Sequence, residues 1–439
     1  MSKKYSEDED YKWEDEYQWD DSYSEFDDRF DDVEEEEVPR RKTTKSTKSA
    51  SSAKSASGKK TGSSAKRSSA KKAAARRKKR RNKMIMVAVI EVLLLALVCL
   101  GLFIVSQFNK IQPPSTESEQ GKISFGANGD AQVNDLPSGT LEKMEGYTTF
   151  AVFGIDKRNM ASLNDGLSDV ILIVSVDENS GEINMVSVYR DTYLQTNKDG
   201  EFSKINAAYN RGGPVRAIEA LNTNLDLQID HYVTVNWFAV AKAIDEMGGV
   251  DIEVPEEIFY AKIPEAQGGG YWLNSYIETT AAATGLPVTY VKGPGYQTLN
   301  GLQAVALCRI RQVGMDYGRA DMQRQVVAQL FEKAKKTNLA TLIAVSKNVF
   351  PNVQTDMTLS DISALIPGLT KYYMAESTGF PSKRGAAMMG TLDCIIAKDL
   401  LTNVKELHRV LYGNDVYVPS DKVIELSEYI SRESGIYAD

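Results

Sequence analysis

Hydrophobic positions are spread unevenly along the chain, and their spacing changes character several times. Residues 1–83 carry no helix or strand period. Met84 to Phe108 (MIMVAVIEVLLLALVCLGLFIVSQF) is then apolar for more than twenty residues, enough for a helix to cross a hydrocarbon core of about 30 Å. Residues 109–145 lose the pattern again, with Pro113-Pro114 and scattered Ser and Gly, which predicts a stalk. From about Gly146 short apolar runs return. Thr148–Phe153, Val170–Asp177 and Ile183–Tyr189 predict strands, and the compact turn Glu178-Asn179-Ser180-Gly181 predicts that the last two form an antiparallel hairpin. Val215–Leu225 predicts a helix and Tyr232–Asn236 a strand. Phe238–Met247 predicts a helix closed by Gly248-Gly249, and Val250–Val254 a further strand. The short apolar run Ala304–Cys308 predicts a strand, and the stretch from Arg319 through Val326, Val327, Leu330 and Phe331 an amphipathic helix. Between them, Pro255 to Gly295 is long and irregular, with a short helix over Ser275–Thr284; a loop of that size on a compact domain is more often functional than idle. Alternating strands and helices with short connections predict an α/β fold, a mixed central sheet flanked by helices.

Charge explains the unpatterned N-terminus and orients the apolar run. The 439 residues carry a formal net charge of -8, but the average hides two opposed blocks. Glu7 to Glu37 holds eighteen acidic side chains among aromatic residues, and Arg40 to Lys83 holds nineteen Lys and Arg with no acid. Neither block can bury a core, so both are expected to be disordered. The basic block ends directly before the apolar run, which by the positive-inside rule puts the N-terminus in the cytoplasm and everything after Phe108 outside. A cleaved signal peptide is disfavoured by the eighty-odd preceding residues and by the length of the run. Juxtamembrane Lys/Arg runs set topology and bind lipid headgroups more often than nucleic acid, so no nucleic-acid partner is expected. Glu91, about two turns into the run, is expected to snorkel toward the cytoplasmic face. Cys308 and Cys394 would both be extracytoplasmic, where pairing is possible, although Cys308 within an apolar run reads as a small buried side chain. His231 and His408 stand apart, with no Cys/His cluster that would suggest zinc.

Candidate chemistry gathers in the second half. Arg309 and Arg311, two apart on a strand, would share one face and repel unless an anion joins them. On the helix that follows, Arg319 and Gln323 share a face at i and i+4. Planar guanidinium forks suit phosphate oxygens, which makes a phosphate or diphosphate the expected target; solvation, or pairing with acids such as Asp316 and Asp321, is the plainer alternative. Asp156 follows one strand and Asp169 begins another, so two hard carboxylates can meet where neighbouring strands end, an arrangement suited to Mg²⁺. They can equally be turn-capping residues. Arg190 and Asp191 close the strand Ile183–Tyr189 and can point over the same edge. No Walker loop, Gly-x-Ser-x-Gly elbow or spaced histidine pair is present, so the common ATPase, hydrolase and metalloprotease readings have no support.

The segments FGID, LSDVILIVSVD, VSVYRDTY, KINAAYNRGG, HYVTVNW, DEMGGVDIEVP and LNGLQAVALCRIRQVGMDYGRADMQRQ occur in this order between about Gly146 and Lys333. Together they resemble the LytR-CpsA-Psr family of bacterial cell-envelope proteins. The resemblance implies one membrane helix (84–108) after a cytoplasmic tail (1–83), a stalk (109–145), a catalytic α/β sandwich (146–415) and a C-terminal extension (416–439). It implies a phosphotransferase that moves a glycopolymer from an undecaprenyl diphosphate carrier to a peptidoglycan hydroxyl, with Mg²⁺ at the diphosphate. Residue by residue, the metal-binding acids fall on Asp156 and Asp169, and the diphosphate-binding arginines on Arg190, Arg309, Arg311 and Arg319. Gln323 matches the glutamine on the helix, and Asp316 the acid before Gly318-Arg319. Asp191 or Asp316 would be the general base. Tyr189 stands where many members have Pro. A non-catalytic lipid-diphosphate binder or regulator, and a hydrolase that uses water instead of a sugar hydroxyl, are the rival readings.

Overall fold

The computed structural model describes residues 102–112, 134–156, 166–313, 315–361 and 370–438. The tail read over 1–83, and the apolar run up to residue 101, lie outside them, as does most of the stalk. No helix among the described residues is long and apolar enough to cross a membrane.

Six strands form one mixed sheet. In chain order they are β1 (Tyr147–Ile155), β2 (Ser168–Asp177), β3 (Glu182–Val188), β6 (His231–Asn236), β9 (Val353–Thr355) and β10 (Tyr373–Phe380), and across the sheet the order is β10-β3-β2-β1-β6-β9. The β10–β3 and β1–β6 pairs are parallel and the remainder antiparallel, so the expected β2–β3 hairpin is present within a mixed sheet. Asp177 caps its turn by accepting from the backbone N–H of Asn179 at 2.8 Å. The remaining strands form two-stranded ribbons: β4 (Tyr193–Gln195) with β5 (Phe202–Lys204), β7 (Val250–Val254) with β8 (Gly295–Leu299), and β11 (Arg384–Met389) with β12 (Leu392–Ala397).

Period-two alternation puts each sheet face against its own layer. Ile171, Ile173, Val186 and Val188 join a core with helices α2 (Asn206–Leu225), α9 (Leu400–Tyr412) and α10 (Asp421–Ser434), through Leu221, Leu407, Leu411 and Ile430. Val174, Val176, Ile183 and Met185 face the other way, toward Val327 and Phe331 of α7 (Met315–Lys336). The sheet is therefore flanked by helices on both sides, and the stretch after residue 415 contributes Tyr417, Val423, Leu426 and Ile430 to the main core.

Three local expectations are corrected. Helix α2 begins at Asn206 rather than Val215; its first turns bend at Gly212 and Gly213, the latter at φ 66°, just before Pro214, which has no N–H to continue the ladder. The region 255–295 is more regular than its composition suggests, with α4 (Glu256–Phe259) and the 13-residue α5 (Trp272–Thr284). Most consequential, Ala304–Cys308 is not a strand: Gly301–Leu307 is helix α6. Asn300 and Gln303 form a reciprocal capping box, Gln303 N donating to Asn300 Oδ1 at 2.9 Å and Asn300 N to Gln303 Oε1 at 3.1 Å. Gly301 then lets α6 press against α3 (Trp237–Glu246), since a Cβ there would lie 2.0 Å from the Ala241 carbonyl. Cys308 and Cys394 are both free and buried.

Buried titratable groups make stability pH-dependent in opposing ways. Burial pushes Asp230, just before β6, up to about 6, and the hydrogen bond that His231 Nδ1 donates to the Asp356 carboxylate raises neighbouring His231. Burial pushes His408 down to about 4. Asp230 holds its proton longer folded than unfolded, so stability is lost as pH rises from the ordinary carboxylate value through about 6. His408 resists protonation when folded, so stability is lost as pH falls below the ordinary imidazole value toward about 4. Across that shared window the two slopes cancel in part. Asp230→Asn removes the first, so its stability relative to native should rise by about 1–3 kcal/mol between pH 4 and pH 7. Urea midpoints measured at successive pH values check this, and a pH-independent difference would sink it.

Candidate diphosphate site at the end of the sheet

The site forms where β1 ends, β2 begins and β3 ends. Gly154 faces Val170 in the antiparallel register, but the next β1 residue, Ile155, faces Ser168, so Asp169 is the extra residue of a β-bulge. A bulge re-aims the side chain it carries, here the Asp169 carboxylate, at the end of the sheet where Asp156 follows β1. Gly154 permits this crowding, because a Cβ there would lie 2.8 Å from both Cβ and Cγ2 of Val170. Gly154→Val is expected to shift the bulge, cost about 1–3 kcal/mol of stability and reduce activity more than Asn210→Ala, a change outside the charged cluster. Parallel unfolding and rate measurements check it, and unchanged activity would refute it.

The charged groups interlock. Asp169 takes Arg190 Nη1 on Oδ1, and Arg311 Nη2 lies 3.6 Å from its Oδ2. Arg309 Nη2 lies 3.0 Å from Asp156 Oδ2, and its Nη1 donates to Thr280 Oγ1 at 2.9 Å. Asp191 lies 3.4 Å from Arg190 Nε and 3.1 Å from Lys204 Nζ. Arg190, Lys204, Arg309 and Arg311 thus face Asp156, Asp169 and Asp191, one more cation than carboxylate, an arrangement that favours an anion.

The predicted residues do not all lie in one layer. Arg309 and Arg311 reach the carboxylates from the turn after α6, not from one face of a strand. Arg319 and Gln323 share a helix face as expected, but both are buried, at 5% and 7% exposure. Gln323 Nε2 donates to the Cys308 carbonyl at 3.1 Å, so it fixes the turn that presents Arg309. Arg319 is near enough to Cys308 to act electrostatically on its thiol, although burial dominates and pushes that thiol up to about 12. Asp316 lies on α7, but its side chain is outside the described residues.

Two groups were missed by sequence reasoning. Thr280 comes from α5 within the long 255–295 excursion, and a threonine on a helix carries no spacing signal toward an arginine 29 residues on. Arg384, from β11, lies 3.6 Å above the Tyr317 ring and 5.1 Å from the Tyr189 ring, which are themselves edge-to-face at 4.8 Å. Tyr189, the departure before Arg190-Asp191, therefore has an aromatic and cationic partner set of its own.

Asp156, just past the end of β1, and Asp169 on adjacent β2 offer hard carboxylate oxygens, a donor set that suits Mg²⁺, which takes one or two protein carboxylates and keeps waters. No group of three or more His, Cys, Asp or Glu suited to a metal occurs among the described residues.

A model of the LytR_cpsA_psr family matches residues 110–402. Among curated proteins, the chain is 29% identical over 205 residues to the Bacillus subtilis (strain 168) polyisoprenyl-teichoic acid–peptidoglycan teichoic acid transferase TagV, covering 46% of this chain and 47% of that protein. It is 27% identical over 214 residues to TagU of the same strain, which bears the same transferase name, covering 48% and 60% respectively. The chain thus spans about half the length of the curated relatives it matches. A solved structure of a Streptococcus agalactiae protein superposes with a TM-score of 0.51 at 20% identity, over 65% of this chain and 93% of that one, a likeness of fold.

Proposed function

This chain belongs to the LytR-CpsA-Psr family, and from that premise we propose that it is a membrane-anchored phosphotransferase of cell-wall biogenesis. It moves a glycopolymer from an undecaprenyl diphosphate carrier to a peptidoglycan hydroxyl. The observation that carries this reading is the interlocked cluster at the sheet end, where the cations outnumber the carboxylates and Asp156 and Asp169 lie at the ends of adjacent strands. Membership of a family whose relatives are named as teichoic acid transferases supports the reaction class. The anchor is residues 84–108, with the N-terminus cytoplasmic and the domain outside.

In this mechanism Arg190, Arg309 and Arg311 bind and neutralise the diphosphate by exchanging part of their pairing with Asp156 and Asp169 for phosphate oxygens. Asp156 and Asp169 would hold Mg²⁺, which when bound supplies further charge neutralisation at the diphosphate. The acceptor hydroxyl oxygen forms a bond to the phosphorus that carries the polymer, and the bond from that phosphorus to the oxygen of polyprenyl phosphate breaks. Positive groups aimed at the leaving phosphate stabilise the charge that develops there. Asp191 directs its oxygens at Arg190 and Lys204 and so orients Arg190. The hydroxyl proton passes to an acid within hydrogen-bond reach, for which Asp191 and Asp316 are the two candidates.

The deciding assay combines the full chain, Mg²⁺ and a lipid-linked donor, with and without peptidoglycan. Phosphate-linked polymer on the acceptor is the expected product. Free polymer phosphate alone would make the protein a hydrolase, and donor binding without either product a non-catalytic binder.

A further inference from the structure

The apolar run 84–108 does not lead into a free spacer. Residues 102–108 are helical; Gln107 is buried and Phe103 partly buried on one face, while Leu102, Ile104 and Val105 are 65%, 47% and 40% exposed on the others. Only Asn109, Lys110 and Ile111 separate that helix from Gln112, whose N–H donates to the Val353 carbonyl at 2.9 Å and which bridges in parallel to Gln354. The edge strand β9 is thus fastened to the chain where the apolar run ends.

Helix α8 (Leu339–Val349) lies at the same place, with Lys347 Nζ 5.7 Å from the Phe103 ring. Its sequence, LATLIAVSKNV, is mostly apolar; one side packs along α3, where Asn348 Nδ2 donates to Glu246 Oε1 at 2.5 Å, while Ala340, Leu342 and Lys347 are exposed, Leu342 by 38%.

We propose that α8 lies in the outer interface of the bilayer, its uncovered Leu342 side on the acyl boundary and Lys347 at the headgroups. The inference rests on the reading of 84–108 as a span. About twenty residues fill the hydrocarbon core, so a span starting at Met84 ends near Phe103. The five residues on to Phe108 rise about 7.5 Å, through an interface zone of about 5–8 Å on that side. Lys347 beside Phe103 is then at headgroup depth, where a long cationic side chain is favoured. Lys110 and Lys347 fit a surface rich in lipid phosphates.

The same docking places the site near the membrane. Gly154 pairs with Val235, Val235 with Val353, and Val353 accepts from Gln112. Three strand spacings of about 4.8 Å put Gln112, four residues past the end of the juxtamembrane helix, about 14 Å from the β1 end that precedes Asp156. A diphosphate whose lipid tail stays in the bilayer meets its arginines there without being lifted far into water.

The test is spin-label accessibility in the full chain, reconstituted in nanodiscs of phosphatidylethanolamine and phosphatidylglycerol. A label on native Cys99 reports the span; Leu342→Cys and, as a water control, the 74% exposed Val416→Cys are each made in a Cys99→Ala background, with Cys308 and Cys394 buried from reagent. The expected result is an oxygen-to-nickel accessibility ratio at 342 severalfold above that at 416. A ratio at 342 equal to that at 416, with Cys99 in lipid, overturns the docking and leaves the span reading intact. Cys99 in water overturns both. Dipolar broadening between labels at 342 would put a second copy of the chain on this face and overturn the lipid assignment.

Discussion

Asp169→Asn is expected to lower polymer transfer by about 100-fold or more while leaving affinity for the lipid diphosphate intact or improved. Asp169 lies between Arg190 and Arg311 at the bulge of β2, its side chain 17% exposed. Asparagine keeps the shape and removes the charge. Two guanidinium groups that shared one carboxylate then face each other, and unit charges at about 4 Å interact by about 4 kcal/mol at an effective dielectric near 20. That repulsion loosens the empty site but is relieved when a diphosphate enters. Binding is therefore preserved, whereas the carboxylate expected to hold Mg²⁺ is lost and the cations no longer have fixed positions; a preorganised group of this kind is worth about 10²–10³ in rate. Three measurements separate these effects: transfer rate, thermal stabilisation by farnesyl diphosphate, and the Mg²⁺ concentration for half-maximal residual rate. The expected pattern is low rate, undiminished stabilisation and a raised Mg²⁺ requirement. A variant that transfers within threefold of native would remove Asp169 from the chemistry.

Much of this site was legible because its residues sit in ordered motifs at strand ends. Asp156, Asp169, Arg190, Arg309 and Arg311 were each selected from sequence and do come together. Arg309 and Arg311 do not share a strand face, however. A five-residue apolar run cannot distinguish strand from buried helix by period alone, and here Asn300 and Gln303, just upstream, decided for helix through their capping box. That signal was present in the sequence. The bulge at Asp169 was not, since it arises from the pairing of two strands whose register no single segment encodes. Thr280 and Arg384 arrive by long-range packing of α5 and β11, which local pattern cannot supply. Within the fold, the β2–β3 hairpin follows from local patterning, whereas the β1–β6 pairing, β10 pairing with β3 and α10 entering the main core join segments about eighty to more than two hundred residues apart.

Arg309→Ala should show the opposite signature, a loss of donor affinity of about 10- to 100-fold accompanied by slower transfer. Charge-assisted hydrogen bonds to an anion contribute about 1.5–3 kcal/mol, and Arg309 is held for that role by two contacts of its own. One Nη lies 3.0 Å from Asp156 and the other donates to Thr280 at 2.9 Å, leaving the side chain 18% exposed. Lysine keeps the charge but has no planar fork, so it cannot hold Asp156 and Thr280 together while facing a phosphate; Arg309→Lys should fall between native and alanine. Thr280→Val removes one anchor without changing charge and should weaken donor binding only severalfold, as expected of a positioning residue. Farnesyl diphosphate titrations on native, Arg309→Ala, Arg309→Lys and Thr280→Val protein test that order. Undiminished affinity in Arg309→Ala would mean that Arg309 serves Asp156 alone, and the diphosphate would then have to be assigned to Arg190 and Arg311. Read with Asp169→Asn, the two variants divide the cluster by sign: a lost carboxylate costs turnover and spares binding, while a lost guanidinium costs binding first. A passive surface network of ion pairs would show neither pattern, since exposed pairs contribute about 0–1 kcal/mol and their loss leaves ligand affinity unchanged.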